Sequence, residues 1–539
     1  MKMKKIKTIT YIVCLLAGMT TVSCSDFLDE YSQDQYYAHE WEDLDELLIG
    51  SAYIFYSNPQ EPPYWTGSDT GTGHEGAFLH FLTDDVDENT TGVSQEYDCQ
   101  DVYFGNFTWQ ERTGVKSEKT EYNAENPTWT ACYNHINVCN NIIASLEDVD
   151  MKDDEDRMGY HKVSGEAHFI RAYLYFFLVN LYGKPYDENA AENPGVPLKL
   201  SEDVIDVKYT RNTVKEVYDQ VVADLEIARN ELSQYTTPQK SYYRADSVAA
   251  DLLSARVYLY MQDWENARKY ADKVISEHPD LEDLNNPSET YFHSANNVEN
   301  IFSMGADDVP TIMFYGIKTL TATQDLYGLY EDKDLRKSQW YWTTGKFVGV
   351  TKILPHPQFW GSTYTPDSPY YYEYAYKENC QGYNTYFSTI FGLRSAEAYL
   401  IKAEAAAYLG KESEARNTVN KLRANRYSNS FVGYLIISSG NQLIQDIRNE
   451  RRRELCFEGQ RWFDLRRYSV NSVYPESHEI KHNFTYYQDR ESASVVNRVT
   501  YVLQPYDEAY TLPIPYEVIT FNTGMEQNKR PNREPVAEN

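Results

Sequence analysis

Cysteine is scarce in this chain and never forms a close pair. Its 539 residues contain 7 cysteines, and no two of them are spaced as C-x-x-C. Zinc ribbons and dithiol redox sites depend on such pairs, so the sequence excludes both classes. Cys132 and Cys139 fall on one predicted helix, about 10 Å apart along its axis, which is too far for a disulfide. We expect both to be small buried side chains.

Positive charge is also in short supply. Lys and Arg total 50 against 81 Asp and Glu, which gives a formal net charge of −31. A surface this acidic repels phosphate backbones and anionic lipid headgroups. Nucleic-acid binding is therefore excluded as the function. Neutral ligands are compatible with this charge, although the charge selects none of them.

The sequence has no apolar run long enough to span a membrane. Residues 1–23 have the form of a secretory signal, with lysines before a short apolar core from Tyr11 to Met19. That core falls well short of the ~20 residues that a membrane-spanning helix needs. The segment ends in Thr21-Val22-Ser23-Cys24, which resembles a bacterial lipobox and predicts that Cys24 is lipidated. Several acyl chains on one residue give a stable anchor. An ordinary secreted protein cleaved nearby is the alternative.

The motifs of several hydrolase classes are missing. Neither H-E-x-x-H nor G-x-S-x-G occurs, so zinc-protease and serine-hydrolase functions lack support. Gly71-Thr72-Gly73-His74-Glu75-Gly76 fits G-x-G-x-x-G, but a loop-like stretch precedes it where a nucleotide site needs a strand. Asp84, Asp85, Asp87 and Glu88 could supply a carboxylate pair for glycosidic cleavage. Such pairs are unavoidable among 81 acidic residues, and the chemistry needs them on opposite sides of a cleft.

The same acidic stretch partly matches a calcium-binding loop. Asp85-Val86-Asp87-Glu88-Asn89 is followed by Glu96, which places oxygen ligands in a plausible order. Thr90 stands where that loop needs glycine for its sharp turn. We favour an acidic solvated turn and keep a calcium ion as the alternative.

Tyrosine, by contrast, is abundant. The chain holds 49 Tyr, together with 9 Trp and 21 Phe. Cores prefer Phe and Leu because a buried hydroxyl needs a partner, so part of this tyrosine is expected at the surface, where rings can lie against sugars. The alternative is a tyrosine-rich helical core whose hydroxyls reach water. We assign most of the tyrosines to that core, since a binding site uses few aromatic groups.

Helical periodicity organises the chain into pairs. Residues 164–183 predict a helix buried on most sides, and 214–232 predict its partner, capped by Asn212 or Thr213. The ranges 247–275 and 395–426 each predict two helices rich in small residues around a tight turn, and 129–146 predicts a further helix. A helical pair that cannot bury its apolar face alone packs against neighbouring pairs, as tetratricopeptide repeats do. The predicted fold class is mainly α, a tetratricopeptide-like helical-pair scaffold with long irregular, loop-rich insertions.

Two regions, 55–125 and 285–392, lack helical period and carry clusters of aromatic residues, Gly and Pro. Loops this long are usually functional or disordered, and their aromatic content argues against disorder. Binding residues are commonly loop residues positioned by a rigid scaffold. The sequence therefore predicts a ligand site made of loop aromatics on a helical frame.

The stretch from Arg448 to Arg467, here called the arginine motif, mixes charges of both signs. Its arginines alternate with Glu450, Glu454, Glu458 and Asp464. At helical spacing such residues form ion pairs, and arginine forks suit the attachment of a helix to its neighbours. We therefore interpret the motif as structural rather than as an anion site.

These patterns resemble a known family. The arginine motif, Leu512-Pro513-Ile514-Pro515 and Gln527-Asn528 resemble the C-terminal half of SusD/RagB proteins, which are outer-membrane nutrient-binding lipoproteins. The run from Gly165 to Tyr173, with Gly195-Val196-Pro197-Leu198 behind it, matches the family's first strong motif. The resemblance implies one SusD-like domain over 24–539. Its N-terminal part, to about 285, holds helical pairs, and its C-terminal part, from about 286, holds the loop-rich insertion, a helical pair and the arginine motif.

The resemblance also implies a function. It predicts a non-enzymatic lipoprotein on the outer membrane, facing the cell exterior, that binds an oligosaccharide or polysaccharide without a cofactor. Delivery to a TonB-dependent, SusC-like barrel would follow. We predict that loop aromatics near where the family's sites fall bind the ligand: Tyr64, Trp65, Tyr97, Tyr315, Trp340 and Trp342. A tetratricopeptide-type adaptor for protein segments and, less favoured, a glycoside hydrolase remain the alternatives.

Overall fold

The computed structural model describes residues 40–54, 76–89, 103–203, 207–237, 241–288, 292–294, 296–305, 320–352, 387–488 and 495–536. Its helices are α1 Trp41–Leu47, α2 Pro127–Ser145, α3 Asp154–Tyr182, α4 Val214–Gln234, α5 Ser247–Tyr260, α6 Trp264–Glu277, α7 Gln324–Gly328, α8 Leu335–Gln339, α9 Ser395–Tyr408, α10 Glu412–Ala424, α11 Gly440–Glu454, α12 Arg461–Ser469 and α13 Tyr516–Phe521. Its strands are β1 Val86–Glu88, β2 Asn300–Ser303, β3 Leu320–Ala322, β4 Tyr341–Thr344, β5 Phe347–Val350, β6 Gly392–Arg394, β7 Ile480–Tyr487 and β8 Val495–Leu503.

The central helix α3 is buried along most of its length, as its apolar sequence predicts. Its N-terminus is capped by the Asp153 carboxylate, which accepts hydrogen bonds from two backbone amides of the first turn. It packs against α4, which begins at a capping box formed by Thr213 and Glu216. Gly165 permits the close approach, since a Cβ there would lie 2.6 Å from the Leu232 side chain. The predicted helical pair is confirmed.

The other two predicted pairs are also present. Helices α5 and α6 flank a turn at Gln262, and α9 and α10 flank a turn at Gly410; both turn residues have positive φ. Helix α9 packs against both α5 and α6, and Arg256 on α5 donates to Glu397 on α9 at 2.7 Å. The prediction of a mainly α, tetratricopeptide-like fold is confirmed.

The strands of the described residues form four antiparallel two-stranded sheets: β1 with β3, β2 with β6, β4 with β5, and β7 with β8. The longest, β7–β8, runs from the Ile480–Leu503 pair to the Tyr487–Val495 pair and packs beside β1. Periodicity did not predict these sheets. Cys132 and Cys139 are both fully buried, which confirms that prediction. Within the described ranges, no helix has the length and apolar character needed to cross a membrane.

Candidate ligand-binding surface

The predicted site residues divide into two groups. Tyr64, Trp65, Tyr97 and Tyr315 lie outside the described residues, as do the lipidation candidate Cys24 and most of the G-x-G-x-x-G stretch. Trp340 and Trp342 lie within the described residues. Trp340 directly precedes β4, and Trp342 lies in β4. The first group therefore stays a prediction, whereas the second can be compared with the structure.

Trp340 and Trp342 do not present open ring faces. Trp340 is 1% exposed and its ring packs 4.7 Å from that of Phe292, with the Lys352 ammonium 4.3 Å above it. Trp342 is 9% exposed and covers Gly349, its partner across the hairpin. A ring that binds a sugar needs an exposed face, so neither residue matches that expectation. Both rings contribute to the core instead.

A short turn forms the hairpin beside which these rings pack. Gly345 and Lys346 connect β4 to β5, and Gly345 has a φ of +61°. Such a two-residue turn pairs the flanking strands, and the side chains then alternate between the two faces. The dipeptide Gly345-Lys346 between aromatic and β-branched residues is a hairpin signal that could have been recognised in the sequence.

Four stretches outside the described residues, 55–75, 90–102, 306–319 and 353–386, contain the four predicted residues of the first group, and 55–75 and 353–386 also carry clusters of aromatic residues. We call them the aromatic segments. Their described flanks show where each begins and ends. The amide of Gly305 donates to the carbonyl of Ile54 at 2.9 Å, so segments 55–75 and 306–319 begin side by side.

Further contacts connect the remaining flanks. Ser388, just after segment 353–386, donates its amide to Ser303 Oγ at 2.7 Å. A Cβ on Gly76, which has a φ of +92°, would lie 3.0 Å from the Ile390 side chain, so the residue that follows segment 55–75 lies beside the stretch that leads into β6. Glu88 pairs with Leu320 across β1 and β3, which places the start of segment 90–102 opposite the end of segment 306–319.

The arginine motif holds these flanks together through buried ion pairs. Glu454 on α11 accepts hydrogen bonds from Arg394 Nη1 and Arg426 Nη2, both at 2.8 Å. Glu458 accepts from Arg394 and from Lys352, the last described residue before segment 353–386. Because Arg394 ends β6, the motif fixes both flanks of that segment. The structural interpretation of the motif is thus confirmed.

The same motif holds β1. Arg461 donates to both carboxylate oxygens of Asp84, at 2.8 and 2.7 Å, and Arg452 Nε donates to Asp85 Oδ1 at 2.8 Å. Arg452 and Glu454 lie two positions apart on α11, so one helical turn connects β1 with β6. At least one flank of each of the four aromatic segments is therefore attached, directly or through β1, β2, β3 or β6, to the buried charges of the arginine motif.

These contacts also decide the role of the acidic stretch. Burial alone would raise the pKa of Asp84, but Arg452 and Arg461 hold it well below its ordinary value, whereas burial raises the pKa of Asp85. Asp87 accepts from Asn483, and Glu88 accepts from Thr485. The described side chains proposed for calcium or for glycosidic cleavage are thus bound within the protein: Asp84 and Asp85 lie in a turn next to β1, and Asp87 and Glu88 lie on β1. Glu96 lies outside the described residues. Among the described residues, no three acidic, His or Cys side chains are grouped to hold a metal ion.

The fold and these contacts define a class of protein: a mainly α, tetratricopeptide-like scaffold in which a buried cluster of charges holds the described flanks of long irregular stretches. Residues 78–259 match a family model described as "Starch-binding associating with outer membrane", and residues 282–531 match the model of the SusD family. The chain belongs to the SusD/RagB family.

Similar proteins agree with this assignment. SusD-like protein P2 of Formosa agariphila is 28% identical over 536 residues, covering 89% of this chain and 94% of the relative. SusD-like protein P38 of the same organism is 24% identical and covers 70% of this chain and 77% of its own length. Among solved structures, a protein titled putative sugar binding protein from Bacteroides vulgatus has a TM-score of 0.64 at 20% identity, over 92% of this chain and 99% of that one. Surface glycan-binding protein A from Bacteroides fluxus has a TM-score of 0.59 at 17% identity, covering 91% and 98%.

Proposed function

We propose that this protein captures an oligosaccharide at the cell surface and passes it to a SusC-like, TonB-dependent barrel in the outer membrane. Cys24 would carry the lipid anchor, and the protein would bind its glycan without cleaving it. Membership of the SusD/RagB family supports this proposal, as do the names of its relatives and structural neighbours. The signal-like residues 1–23 support export.

One structural observation carries the proposal. Four segments that carry aromatic residues have described flanks that are attached, directly or through short strands, to one set of buried charges. A few aromatic and polar groups held on a rigid frame are what a saccharide site requires. Tyr64, Trp65, Tyr97 and Tyr315 belong to these segments, and we retain them as the proposed binding residues. Trp340 and Trp342 are not retained, because their rings are buried.

Isothermal titration of the mature chain without its lipid against a glycan panel tests this function. We expect at least one oligosaccharide to bind, and Trp65→Ala to weaken that binding roughly three- to tenfold, the value of one aromatic contact. Tyr506→Ala is the matched control, because Tyr506 is 65% exposed and lies outside the aromatic segments. Chromatography of the incubated glycan should show it intact. Products of cleavage would establish a hydrolase, and a panel without any binder would leave the adaptor interpretation.

A further inference from the structure

An arginine held between two tyrosine rings forms a polar platform on the described surface. The Cζ of Arg112 lies 4.0 Å from the ring centroid of Tyr122 and 4.1 Å from that of Tyr516. Both rings are about half exposed, at 48% and 52%. Tyr516 begins α13, so the platform joins the turn at 112–125 to the C-terminal helix.

Buried contacts fix the orientation of this guanidinium. Glu125, whose side chain is 2% exposed, accepts from Arg112 Nε at 2.8 Å and also from the backbone amides of Gly114 and Tyr516. The turn itself is closed by an antiparallel bridge between Val115 and Tyr122. Rings on both faces and a carboxylate at Nε restrict the guanidinium to one position. Such a group is preorganised, so binding costs little further ordering.

The terminal nitrogens of Arg112 are available to a ligand. Within the described chain, Nη1 and Nη2 form no hydrogen bond, and the side chain is 29% exposed. The two terminal nitrogens of a guanidinium match the two oxygens of a carboxylate or of a sulfate ester. The guanidinium covers one face of each flanking tyrosine, and the tyrosines supply their hydroxyls for the oxygens of a sugar and their remaining exposed surface for its C–H groups. This combination fits a sugar that bears a negative charge better than a neutral one.

We propose that Arg112, Tyr122 and Tyr516 form a subsite for an acidic sugar residue, either a uronic acid or a sulfated sugar. This subsite rests on the proposed glycan-binding function and adds a substrate class to it. The net charge of −31 opposes the binding of dense polyanions. The subsite therefore takes an isolated acidic residue within a mostly neutral glycan. The arginine pairs with the acid group, and the two tyrosines contact the ring.

Ligand-observed NMR with single sugars tests the subsite without knowledge of the full glycan. The probes are glucuronate, galacturonate and glucose 6-sulfate, compared with glucose, galactose and acetate. We expect at least one acidic sugar to bind and the neutral sugars and acetate to give no signal. Arg112→Gln, which can still donate to Glu125, should weaken that binding roughly tenfold, the value of a charged hydrogen bond at a partly exposed site. Preference for uronates or for the sulfate ester identifies the acid group.

Several results would overturn this subsite. Equal binding of acetate would show an adventitious carboxylate contact only, and equal binding of neutral sugars would remove the charge preference. Unchanged affinity for the acidic sugar in both Arg112→Gln and Tyr516→Ala would show that this sugar binds at another site on the protein. Arg268→Gln is the control for lost charge, because Arg268 lies on α6 with a 26% exposed side chain. Thermal melting of each variant verifies folding. If acidic sugars fail while neutral glycans bind the mature chain, the subsite is wrong and the capture function stands.

Discussion

Glu454→Gln is expected to lower the free energy of unfolding by about 3–5 kcal/mol, the usual cost of breaking a buried ion pair from one side. Glu454 is fully buried and its two oxygens accept hydrogen bonds from Arg336, Arg394 and Arg426. Glutamine has the same shape but no charge, and it replaces one acceptor by a donor. Three buried arginines would then lose a shared partner. Denaturant unfolding followed by tryptophan fluorescence measures the change.

Glu265→Gln is the matched control for that variant. Glu265 also pairs with two cations, Lys411 and Arg268, but its side chain is 59% exposed. Surface pairs contribute little to stability, so this change should leave the unfolding midpoint where it is. Equal midpoints for the wild type and Glu454→Gln would show that the arginine motif is not what holds the fold.

The same charges make the stability depend on pH. Burial alone would raise the pKa of Glu454, but Arg426 and Arg394 hold it well below its ordinary value of 4.5. A lowered pKa in the folded state stabilises the protein fully above that ordinary value, and this stabilisation is lost as pH falls below it. Glu450 and Glu458 are shifted in the same direction by their own cationic neighbours. The melting temperature should decrease as the pH is lowered below about 4.5, and this decrease should be less steep in Glu454→Gln.

Trp340→Ala is expected to destabilise the fold by about 3–5 kcal/mol through the cavity it leaves. The ring is 1% exposed and packs against Phe292 and the Lys352 ammonium, beside the flank of segment 353–386. Trp340→Phe keeps most of this volume and loses no hydrogen bond, because the indole nitrogen has no partner among the described residues. We expect the Phe variant to melt close to the wild type and to bind glycan with unchanged affinity.

The outcome separates the two interpretations of this tryptophan. A core residue changes stability when it is truncated, and its conservative replacement restores that stability. A sugar-stacking residue would instead leave the melting temperature unchanged and weaken binding in the Ala variant. A Trp340→Ala protein as stable as the wild type would therefore contradict the packing described for this ring.

Local patterns predicted the helical frame well. The spacing of apolar residues in 214–232 and a cap expected at Asn212 or Thr213 gave both the face and the start of α4, because helix formation follows from nearby residues. The interleaved signs of the arginine motif likewise predicted ion pairs rather than an anion site. Its specific partners, among them Arg394 and Asp84, come from distant parts of the chain. No local pattern contains that information.

The candidate site was harder to predict for the same reason. Trp340 and Trp342 have the composition of exposed loop aromatics, but strand pairing with Phe347–Val350 turns their rings into the core. The orientation of an aromatic ring depends on what packs over it, and composition does not specify that. Arg112 is a second example, because its two tyrosine neighbours are 10 and 404 positions further along the chain.

Hydrogen–deuterium exchange, with and without a saturating glycan from the panel, tests the central claim most directly. The claim is that the aromatic segments, held by the arginine motif, form one saccharide-binding surface. We predict slower exchange on binding in residues 55–75, 90–102, 306–319 and 353–386, with the helical pairs α5–α6 and α9–α10 unchanged. Protection confined to those helical pairs, with none in the aromatic segments, would contradict the claim and indicate an adaptor groove instead.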